Sequence, residues 1–112
     1  MARTPDLELL ERLRKVVANQ PVTETELRGL IDQADGLVRT LGAHIAGSES
    51  RIAELNEDAD SSLAEIAAEL HRVDELRPRL EEARSLFADL EIRAREIRTT
   101  WLLRQADDPL TR

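Results

Sequence analysis

From Leu27 onward the apolar positions step alternately by four and three residues: Leu27, Ile31, Ala34, Val38, Leu41, Ile45, Ser48, Ile52, Leu55. Only Ser48 is polar. Such steps place side chains on one stripe of an α-helix and define a heptad seam. The phase slips in NEDADSS, residues 56–62. A second seam then runs through Leu63, Ile66, Leu70, Val73, Leu76, Leu80, Ala83, Phe87, Leu90, Ala94, Ile97 and Trp101. The pattern predicts two long helices, over about 24–56 and 63–105. A shorter apolar face, Leu9, Leu10, Leu13, Val16 and Val17, predicts a first helix over about 5–19.

The polar residues punctuate these helices. Thr4 suits an N-cap, Pro5 the first helical position, and Asp6 and Glu8 the positive end of the helix dipole. Pro21 stops the first helix, because the residue before a proline avoids the helical region. Thr23 and Glu26 make a capping box, with Val22 and Leu27 placed as a hydrophobic staple. Pro78 removes one helical hydrogen bond, so a kink or break is expected near residues 74–78. The end, residues 106–112, is polar with a proline and reads as a flexible tail.

The interruption NEDADSS decides the architecture. As a calcium loop beginning at Asp58 it would need glycine at its sixth position, where Leu63 stands. As a solvated patch of one rod, it would lie within a continuous helix over 24–105, about 123 Å long at 1.5 Å per residue. As a turn it is well equipped. Asp and Ser bond their own backbone, and Ser62 with Glu65 forms a second capping box. Folding the seams antiparallel brings Leu55 to Ile66, Ile52 to Leu70, Ser48 to Val73, Ile45 to Leu76 and Leu41 to Leu80. Further along, Val38 meets Ala83, Ala34 meets Phe87, Ile31 meets Leu90 and Leu27 meets Ala94. Several layers set small against large, which fills space without strain. The expected fold is therefore all-α: one domain, with a short N-terminal helix and a long antiparallel helical hairpin. The rod and an earlier turn at AGSES, residues 46–50, remain the alternatives.

Leu30 and Leu37 flank the first seam and widen it beyond what a two-stranded coil needs. The hairpin should therefore pack against more, either the first helix or a second copy. Ile97, Trp101, Leu102 and Leu103 project past the start of the second helix. The first helix is expected to fold back over that end and enclose Trp101 in a small three-helix core. Alternatively Trp101 is a partner-binding anchor, a role that tryptophan often takes. Candidate partner-surface residues are thus Leu30, Leu37, Ile97, Trp101, Leu102 and Leu103.

Composition narrows the function. The 112 residues include 18 Leu, 14 Ala and 15 Arg but a single Lys, with 2% aromatics. Helix formers dominate, and the arginine bias suggests a high-GC bacterial genome. With no cysteine, disulfides and thiol chemistry are excluded. No apolar run approaches the roughly 20 residues of a membrane span, and MARTPDLELLER lacks a signal-peptide core, so a cytoplasmic location is expected. The net charge of −7 is uneven: residues 21–76 hold 13 acidic and four basic residues, whereas residues 77–112 hold eight basic and seven acidic.

That acidic middle argues against nucleic acid along the whole molecule. Arg77, Arg84 and Arg98 share a heptad position beside the seam, where arginines pair with acids of a facing helix. His44 and His71 are far apart and lack the i, i+4 partner of a helical metal site. No phosphate loop, nucleophile–base pair or inward Glu-x-x-His can be assembled. No catalytic residue, metal or cofactor is therefore expected. The reading is a non-enzymatic interaction, scaffold or adaptor module that self-associates as a homodimer or larger, or binds another helical protein. The alternative is a small nucleic-acid-associated regulator using the arginines of the last helix.

Overall fold

The computed structural model describes residues 5–18 and 20–107. They form three helices, α1 (Pro5–Val17), α2 (Glu24–Glu57) and α3 (Leu63–Asp107). α2 and α3 are the two arms of a hairpin 77 Å long. The rod and the turn at 46–50 are thereby overturned, since residues 46–50 lie inside α2.

The residues that interrupt the pattern build the turn. The Asp58 carboxylate accepts the Asp60 amide at 2.9 Å. Ser61 donates its hydroxyl to the Asp58 carbonyl at 2.8 Å and also reaches the carbonyl of Leu55. α3 then starts on Ser62, whose hydroxyl accepts the Glu65 amide at 3.1 Å. Thr23 does the same for Glu26 at the head of α2, also at 3.1 Å. Each cap satisfies one of the amides left over at a helix start. Thr4 and residues 108–112 lie outside the described residues. Of the expected tail, residues 106 and 107 belong to α3.

Pro78 does not break α3, which is continuous from Leu63 to Asp107. The proline and Asp74, whose carbonyl loses its partner, are both exposed. Water can therefore solvate what the proline leaves unbonded.

The core is concentrated in the half of the hairpin that α1 covers. Leu10, Leu13 and Val16 join Leu27, Leu30, Ala34, Leu37 and Leu41 of α2 and Leu80, Ala83, Leu86 and Leu90 of α3 in one cluster. Toward the turn the core thins. Leu55 and Ile66 are half-buried, Leu70 is 48% exposed and Leu63 83% exposed. Two helices without a third bury only a narrow stripe.

α1 does not cover the Ile97–Trp101 end. It packs mainly on α3, alongside the middle of the hairpin. Arg93 fixes its position: one guanidinium nitrogen donates to the Val16 carbonyl and another to the Gln20 carbonyl, the latter at 3.0 Å. Arg14, further back along α1, reaches the Glu82 carboxylate. α1 therefore runs parallel to α3, with its C-terminal end beside residue 93. The Glu82 hydrogen bond raises the pKa of Arg14, a pairing in water that adds little stability.

Candidate functional site

With α1 placed over the middle, one end of the hairpin is left open. The first turn of α2 begins beside Ile97 to Leu102, and α3 continues past it to Asp107. Between them lies a groove of about 450 Å³, walled by Leu27 and Ile31 on α2 and by Ala94, Ile97, Trp101 and Leu102 on α3. Glu24, Arg28 and Arg98 form its charged rim. Trp101 is 58% exposed, Leu102 54% and Ile97 36%. The expected three-helix enclosure of Trp101 is corrected by these exposures.

Successive helical residues point about 100° apart. Trp101 continues the α3 seam, Leu102 flanks the groove, and Leu103 turns to the outer face of α3, where Ile92 is also exposed. The groove is thus the continuation of the hairpin core beyond the point where α2 stops. The seam that α2 covers up to Ala94 runs on uncovered.

The other candidate partner residues are placed differently. Leu30 and Leu37 are 2% and 5% exposed, inside the cluster with α1. The widened stripe serves the first helix rather than an open surface. Of the seam residues, Leu27, Ala34, Leu41, Ile45, Val73, Leu80, Ala83 and Leu90 are buried. Ile31, Val38, Ile52, Leu55, Ile66, Leu76, Phe87 and Ala94 are half-buried, and Leu70 is exposed. The seam packs α2 against α3 within one chain.

Leu86 of the shared core and Glu82, which pairs with Arg14 of α1, were not picked out from the sequence. Leu86 is 7% exposed and sits one position before the seam residue Phe87. Its spacing of four from Leu90 is the available signal, a second stripe beside the first. Glu82 gave no signal as one acid among many.

The arginines of α3 have mixed employment. Arg77 lies 3.5 Å from Glu49 on the facing helix. Across the same interface Arg51 reaches Glu69 at 3.3 Å. Arg93 is held by the carbonyls of α1. His71 pairs with Glu75 of its own helix at 3.0 Å, and His44 is exposed on α2. Among the described residues no group of three or more His, Asp or Glu could hold a metal ion. Among them, too, no helix is long and apolar enough to cross a membrane.

Fold and groove together define a class: a small all-α hairpin with a docked N-terminal helix and an open apolar end. No protein family, curated protein or solved structure matches the chain.

Proposed function

We propose that the chain is a non-enzymatic helical interaction module, a scaffold or adaptor that docks a helix at the open end of its hairpin. The observation that carries this reading is the uncovered continuation of the core through Ile97, Trp101 and Leu102, facing Leu27 and Ile31. A half-exposed tryptophan beside an apolar groove is the kind of anchor on which binding energy concentrates. The rigid two-helix arm behind it holds the groove in shape without any partner, which limits the ordering cost of association.

The alternative, a nucleic-acid-associated regulator on the arginines of α3, has less support. Arg93 already serves α1, and Arg77 lies against Glu49. Its signature would be salt-sensitive DNA binding.

A photo-crosslinking amino acid at position 98, on the groove rim, tests the docking reading in the cells the chain comes from. Position 54, on an exposed part of α2, is the control. One discrete protein adduct at 98 and none at 54 is expected. No adduct at 98, or equal labelling at both positions, refutes it.

A further inference from the structure

We draw no further inference here: the strongest candidate, the apolar groove at the open end of the hairpin between Leu27 and Ile31 of α2 and Ile97, Trp101 and Leu102 of α3, belongs to the site already described, and nothing in the structure shows what covers it.

Discussion

Removing the guanidinium of Arg93 should detach α1 without unfolding the hairpin. The last carbonyls of a helix have no partner within it. In α1 the backbone supplies some of what is missing, since Ala18 donates to Arg14 at 3.0 Å and Gln20 to Lys15 at 3.2 Å. Arg93 supplies the rest from another helix, reaching both Val16 and Gln20. A hydrogen bond to a charged group contributes about 1.5–3 kcal/mol when sheltered, and a cation at a helix C-terminus about 0.3–1 kcal/mol. The Gln20 bond is exposed and the Val16 bond half-buried. We therefore place the loss in Arg93→Ala near 2 kcal/mol in total.

At 1.4 kcal/mol per tenfold, a loss of that size raises the undocked population of α1 about 30-fold. A detached helix of 13 residues is too short to persist alone in water. Native-state hydrogen exchange reads this directly. Amides of α1 should exchange about 30-fold faster in Arg93→Ala, while those of α2 around Ala34–Ile45 change much less. Arg93→Lys should fall between, because one ammonium cannot bridge two carbonyls as a planar fork does. Unchanged exchange in α1 would refute the tether. An equal increase in all three helices would show instead that α1 and the hairpin unfold as one unit.

Three further substitutions probe the frame. A Cβ added at Gly36 would meet nothing within 4 Å, so Gly36→Ala should stabilise the chain by about 1 kcal/mol in urea titration; destabilisation would mean that another helix packs closely there. Pro78→Ala restores a helical hydrogen bond and should raise stability by up to about 3 kcal/mol; an unchanged melting temperature would show that α3 has already accommodated the ring. Leu41, 1% exposed, sits in the intramolecular core, so Leu41→Asp should abolish the helical signal at 222 nm outright rather than merely block assembly; a folded monomer would contradict the core described above.

Much of the architecture was legible in the sequence because it is written in local signals. The alternating steps of four and three fix which face of α2 meets α3. Thr23, Ser62 and their following glutamates mark helix starts through short-range bonds. Asp58, Asp60 and Ser61 mark the turn for the same reason. Pro78 was expected to kink or break the last helix, and α3 runs through it without a break. A proline in a long helix is tolerated where the freed carbonyl faces water, and exposure at 74 and 78 depends on the third dimension.

The position of α1 was the part that local signals could not supply. Its apolar face and the short link after it required docking nearby, but equally well over Trp101 or over Leu30 and Leu37. What separates the two is a contact spanning 77 residues, from Arg93 to the carbonyl of Val16, made by a backbone group that no side-chain pattern records. Leu86 and Glu82 belong to the same face of α3 and are used with it. Once Arg93 draws the end of α1 alongside the hairpin, the widened stripe at Leu30 and Leu37 is consumed within the chain. The seam beyond Ala94 then has no covering helix. The feature that holds α1 in place is thus also the one that leaves Trp101 available, and α1 is too short to serve both.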